Sequence, residues 1–182
     1  WMAMYSLNMM RISIELALKD RIYEDLACKF FEHFLNIALA MTNFQGEEGL
    51  QLWDDNDGFY YDQLHMPDGT LIPLKVRSLV GLIPLFAVEV LEPGTLEQLP
   101  NFRDRLEWLL ENRPELAELV SRWQEPGVGE RRLLSLLRGH RMKLLLKRML
   151  DEAEFLSDYG VRGLSKIHKD KPYMLTVGGQ SF

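Results

Sequence analysis

The feature that most constrains this fold is the spacing of apolar residues at the head of the chain. Met4, Leu7, Met10, Ile14 and the pair Ala17/Leu18 recur every three or four positions, the repeat of one helix face. Ile22 to Phe44 repeats the pattern through Leu26, Phe30, Phe34, Ile37 and Met41, and Gly46 supplies a stop. The spacing predicts helices over 1–18 and 22–44. Only Lys19-Asp20-Arg21 joins them, so an antiparallel helical hairpin is expected.

The next stretch changes character. Residues 59–64 alternate in part, Pro67-Asp68-Gly69 is a turn signal, and residues 70–74 read as extended. That predicts a short β-hairpin, 59–64 against 70–74. Arg77 to Leu91 is expected to resume as an apolar helix kinked at Pro84. Residues 95–123 are amphipathic, through Leu99, Phe102, Leu106 and Leu109/Leu110. The pattern restarts at Pro114, with Asn112 as a candidate cap, and runs through Leu116, Leu119/Val120 and Trp123. Gln124 to Gly129 reads as a loop. Leu133 to Leu137 suits a strand or a short helix, and Met142 to Glu152 holds helix formers almost throughout. Glycines and a proline from Ser157 onward mark a long loop. What recurs is apolar helix, loop, apolar helix, at a spacing consistent with stacked helical hairpins.

At 182 residues and 47% hydrophobic, the chain is long enough for one ordinary core, which sets a prior of one domain. Its net charge of -6 argues against a nucleic-acid partner, which would call for a basic face. No apolar run reaches the ~18 residues of a membrane span, and no basic start precedes an apolar leader. Cys28 has no second cysteine to pair with, so a cytoplasmic setting is expected and Cys28 reads as a small buried hydrophobe. The chain opens at Trp1 inside an apolar periodic segment and closes on Val177 to Phe182, a loop-like stretch. Both ends therefore read as cut. Apolar faces such as Leu7/Met10/Ile14 would then be left without partners.

Residues 53–62 carry the chemistry. Trp53-Asp54-Asp55-Asn56-Asp57-Gly58-Phe59-Tyr60-Tyr61-Asp62 holds four aspartates and four aromatics in ten positions. Sugars present apolar C–H faces and hydroxyl rims, so their sites combine aromatic platforms with carboxylates. Trp53, Phe59 and Tyr61 could supply the platforms, and Asp54, Asp55, Asp57 and Asp62 the carboxylates. Two other readings stay open. Asp57-Gly58 could be only a turn with the tyrosines packed inward. An Asp-x-Asp run could bind calcium, although the distal bidentate Glu of an EF-hand loop is missing.

The stretch from Leu52 to Asp62 resembles the inter-helix hairpin of glycoside hydrolase family 63 and the mannosylglycerate-hydrolase-like enzymes. Trp1 to Met9, Arg77 to Leu85 and Glu154 to Ser165 resemble further segments of that family, in order along the whole chain. The resemblance implies an all-α fold, a partial (α/α)6 toroid of antiparallel hairpins with the one short β-hairpin inserted at about 59–74. It implies that residues 1–182 are an internal segment of one catalytic domain, truncated at both ends, with the rest of the toroid supplied by flanking sequence. It further implies an inverting hydrolase of α-glucosyl or α-mannosyl substrates. Such an enzyme needs an acid and a base roughly 6.5–9.5 Å apart. The family's general acid, an Asp, is expected before Trp1 and its general base, a Glu, after Phe182, so this segment would carry neither and be inactive alone. It would contribute the substrate wall: Trp53, Asp57, Phe59 and Tyr61, then Arg77, then Tyr159, Gly160, Arg162 and Ser165. No cofactor is implied.

For Arg77 a salt bridge to a nearby Asp is as good a reading as ligand contact. Arg162 sits in a glycine-flanked loop, where binding residues concentrate. His33, His65, His140 and His168 have no ligand spacing, so no metal is expected. Ser157-Asp158 lacks a Gly-x-Ser-x-Gly elbow, and the basic run Arg138 to Arg148 reads as a solvated helix face. The rival from another class is a non-catalytic scaffold of helical hairpins for protein interaction. It would need neither the clustered aspartates and aromatics nor the Tyr159 to Ser165 loop.

Overall fold

The computed structural model describes residues 1–42, 52–117, 126–137 and 139–181. Contacts divide the chain into two compact units, Trp1–Leu50 with Pro84–Gly139 and Gln51–Ile83 with His140–Phe182.

The first unit is built on the expected helical hairpin. Helix α1 spans Met2–Ala17 and α2 spans Glu24–Thr42, joined by a 3-10 turn at Arg21–Tyr23 that Asp20 caps by accepting from the Ile22 N–H. Leu7, Met10 and Ile14 are fully buried here. They are not the unpartnered faces expected of a cut toroid, because α2 and the strands and helices that follow close over them. The face of α1 left open is a different stripe, Tyr5, Ile12 and Leu16.

Helices α3 (Thr95–Gln98), α4 (Pro100–Asn112) and α5 (Pro114–Ala117) complete this layer. Phe102, Leu106 and Leu109 of α4 face the core, where Phe31 meets Phe102 edge-on with ring centroids 6.3 Å apart. The buried Glu24 side chain accepts from the Phe102 N–H at 3.0 Å, which satisfies one of the backbone donors that the first turn of α4 leaves without an intrahelical partner. Glu32 and Arg105 pair at 2.8 Å beside it. Asn112 does not cap α5. Its side chain donates back to the Trp108 carbonyl. Burial first, then Asp25, pushes the Cys28 thiol up to about 11. The expected stop at Gly46, the continuation through Leu119, Val120 and Trp123, and Arg138 lie outside the described residues.

An all-α toroid is not what forms. Among the described residues helix makes up 52% and strand 19%, and five two-stranded antiparallel sheets give a mixed α/β fold. The apolar helix expected over 77–91 is a run of 3-10 turns, Leu79–Phe86, followed by strand β5, Val88–Leu91. Gly81 and Pro84 weaken the first part as an α-helix, and Val88 and Val90 favour an extended backbone in the second. Strand β6, Arg132–Ser135, pairs with β5 in the register Val88↔Ser135 to Leu91↔Arg132, which resolves the ambiguous 133–137 stretch.

In the second unit, β1 (Trp53–Asp54) pairs with β2 (Phe59–Tyr60) around the turn at Asp55 to Gly58, where Gly58 has φ +58°. The hairpin expected as 59–64 against 70–74 forms only over its later part, as β3 (Asp62–His65) against β4 (Leu71–Leu74) with Asp62↔Leu74 and His65↔Leu71, because Phe59 and Tyr60 pair with β1 instead. Helix α6, Gly139–Met149, matches the expected helix over 142–152 with its boundaries moved toward the N-terminus. The stretch expected as a loop holds two more small hairpins, β7/β8 (Leu156–Ser157 with Gly160–Val161) and β9/β10 (Thr176–Val177 with Gln180–Ser181). A 3-10 turn at Lys166–Lys169 lies between them. Glycines at positive φ (Gly160, Gly178, Gly179) make these tight reversals possible. Among the described residues no helix is long and apolar enough to cross a membrane.

A candidate polar site in the second unit

Aromatic packing fixes this site from beneath. Phe59 is completely buried and stacks on Phe155 at 5.9 Å and 15°, and Tyr61 tilts against Phe59 at 5.3 Å. Trp53 packs edge-on against Tyr60 at 4.9 Å and carries the Arg141 guanidinium over its ring. Gly81 makes this closeness possible. A Cβ there would lie 2.2 Å from Phe59 Cε1 and 2.5 Å from the Tyr60 carbonyl oxygen. Trp53, Phe59 and Tyr61, expected as sugar platforms, thus use their faces on one another and on neighbouring protein.

The aspartates of the stretch have separate tasks. Asp55 accepts from the Trp53 indole N–H at 2.8 Å. Asp54 accepts from the Asp57 N–H at 2.9 Å and pairs with Lys75 at 2.7 Å. The Lys75 bond first, then the Asp57 N–H, hold the Asp54 carboxyl below the usual carboxylate range, against the opposing pull of burial. Asp57 accepts from the Tyr61 hydroxyl at 3.0 Å and from Arg77 Nη2 at 3.0 Å. Asp62 is exposed in β3.

Arg77 is the hub. Its Nε donates to the Tyr61 oxygen (3.1 Å), Nη1 to Glu154 Oε1 (3.3 Å) and Nη2 to Asp57. Glu154 also accepts from Arg148 on Oε1 and from the Ser165 hydroxyl on Oε2 at 3.2 Å. Arg148 reaches the Asp57 carbonyl as well. Two guanidiniums thus face two carboxylates, Asp57 and Glu154, with Asp54 and Lys75 as a third pair beside them. Burial pushes the Tyr61 phenol above its ordinary value, and the Arg77 hydrogen bond pulls it back. Of the two readings of Arg77, the ion pair is the one formed.

Asp57, Tyr61, Arg77 and Ser165 are therefore brought together. Arg162 stands apart from the ion pairs: its Nη1 donates to the carbonyls of Glu152 (3.2 Å), Glu154 (3.3 Å) and Leu156, clamping the base of the β7/β8 hairpin. At the hairpin tip Ser157 Oγ donates to the Gly160 carbonyl, and Tyr159 is 100% exposed. Sequence reasoning missed Glu154, Arg148, Lys75 and His168 as members of the cluster. Arg148 lies on the buried edge of a helix read only as a basic solvated face. Glu154, an acidic residue directly before the buried Phe155, was the one available signal.

No family model matches the chain, and no solved structure does. The chain is similar to part of a longer yeast protein. It is 44% identical over 193 residues to "Uncharacterized protein YMR196W" of Saccharomyces cerevisiae, with all of this chain aligned. The chain spans 18% of that relative's length, and the relative's name assigns it no activity.

Proposed function

We propose that this chain contributes a carbohydrate-binding wall to an inverting glycoside hydrolase acting on α-glucosyl or α-mannosyl substrates. The observation that carries the reading is the β7/β8 hairpin. It presents a wholly exposed Tyr159 ring at a tip whose base is clamped by Arg162 and whose root, Glu154, is held by two arginines and Ser165. The clamped hairpin holds the backbone beneath an uncovered aromatic ring, whose flat face suits the apolar face of a sugar. Trp53, Phe59, Tyr61 and Asp57 then act from behind as the support of that wall, together with Arg77. The reading keeps the cytoplasmic setting that a lone, half-buried cysteine favours.

The test is turnover of α-glucosyl and α-mannosyl substrates by the full-length protein that carries this sequence. Tyr159→Ala should lower kcat/KM about tenfold or more with an unchanged melting temperature, as expected for loss of an aromatic anchor. Lys143→Ala, on the exposed face of α6, should leave kcat/KM unaltered. Equal behaviour of the two variants, or no glycoside hydrolysis at all, would overturn the proposal. A second reading, an interaction scaffold, draws on the open Tyr5/Ile12/Leu16 stripe of α1, and full activity in Tyr159→Ala would favour it.

A further inference from the structure

Carboxylates fix the Arg77 side chain, but an imidazole fixes its backbone. The Arg77 N–H donates to His168 Nε2 at 2.9 Å, and His168 Nδ1 lies 3.1 Å from the Lys171 carbonyl oxygen. A ring nitrogen facing a donor must present its lone pair, and one facing a carbonyl must carry the proton. Both contacts are met by one form of the ring, neutral with the proton on Nδ1. We propose that His168 is a proton-released latch. Neutral, it ties the 3-10 turn Lys166–Lys169 to the backbone of Arg77; protonated on Nε2, it lets that tie go.

The step balances simply. A proton from solvent takes up the Nε2 lone pair, and the new N–H then faces the Arg77 N–H with no acceptor between them. The ring is half-exposed, so the proton needs no route through a core. Opening is local, because separate bonds hold the neighbouring backbone. Ser165 N–H donates to the Arg77 carbonyl at 2.8 Å and Leu79 N–H to the Gly163 carbonyl at 2.8 Å. Titratable and charged groups near the imidazole are Lys166 and Lys169 on its own turn, Asp170 and Lys171 after it, Lys75 and Arg77 on the segment it bonds, Tyr173 with its hydroxyl toward the Pro73 carbonyl, and Glu154, whose carbonyl accepts from the Lys166 N–H. The contact exists only while Nε2 is unprotonated, so it is present at higher pH and lost as pH falls.

Nitrogen NMR of the full chain, combined with amide exchange, decides it. At about pH 8 His168 should report the Nδ1–H tautomer. Between about pH 8 and about pH 5 the protection factor of the Arg77 amide should fall roughly tenfold, the scale of one lost hydrogen bond, while that of Leu79 holds. His168→Gln, whose amide oxygen can accept from the same N–H, should keep Arg77 protection flat over that range. An Nε2–H tautomer or a charged ring at the upper pH would overturn the latch. So would Arg77 protection that is unchanged, or that falls in step with Leu79. If the variant does not fold, the wild-type measurement alone decides.

Discussion

Arg77 Nη2 stands 3.0 Å from Asp57 Oδ1, and the Tyr61 hydroxyl bonded to the other Asp57 oxygen also receives the Arg77 Nε hydrogen bond. A single guanidinium therefore closes a ring with one carboxylate and one phenol, and its remaining nitrogen goes to Glu154. Each of its three nitrogens has a separate acceptor, a geometry that a lysine ammonium cannot reproduce.

Arg77→Ala is expected to destabilise the chain by about 2 kcal/mol, since Asp57 and Glu154 would face each other with one fewer countercharge in a half-buried setting. Arg77→Lys should recover less than half of that loss. Urea denaturation of the three proteins measures it, and equal midpoints for wild type and Arg77→Ala would refute the hub role.

Gly81→Ala removes no contact and should still be severe. The added methyl would meet the Phe59 ring and a backbone carbonyl well inside contact distance, and the carbonyl belongs to a paired strand that cannot swing aside. A cost of about 2 kcal/mol or more is expected, at the upper end of overpacking penalties. Gly139→Ala, with open space around the added carbon, is the control and should be neutral or slightly stabilising in its helix. Thermal unfolding of the pair checks both.

Asp54 gives a pH dependence with a definite sign. Its carboxyl is held below the usual range by Lys75, so its contribution is present above the unfolded carboxylate pKa and is lost as pH falls through the lower folded value. Asp54→Asn keeps an acceptor for the Asp57 N–H and loses the charge. The variant should therefore be less stable than wild type near neutrality, with the gap closing in acid. A gap that stays constant from neutral to acidic pH would show that the Lys75 pair contributes nothing.

Local patterns were legible in the sequence, and long-range pairings were not. The helical hairpin could be read because apolar spacing in α1 and α2 is a property of neighbouring residues. The β3/β4 hairpin could be read because Pro67-Asp68-Gly69 announces its turn. The partner of β5 could not, since β6 lies some forty residues downstream and nothing in Val88–Leu91 names it. That missed pairing turned the end of an expected helix into a strand and, with the other small hairpins, an expected all-α fold into a mixed one. In the site, residue type pointed to Asp57, Tyr61 and Arg77, while Glu154 and Arg148 join them only through tertiary approach. Trp53 and Phe59 show the limit from the other side: an aromatic beside an aspartate looks the same in sequence whether it faces a ligand or a core.

The hub also sets an order of assembly. Asp57 and Tyr61 precede Arg77 by 20 and 16 residues, whereas Glu154 follows it by 77 and His168 by 91. Asp57 and Tyr61 are thus available to Arg77 as soon as it is synthesised, whereas its second carboxylate follows only after the whole of residues 84–139, which belong to the other unit. Closing so long a loop is the slow kind of step in folding. The second unit can therefore be completed only after α6 and the β7/β8 hairpin have been synthesised.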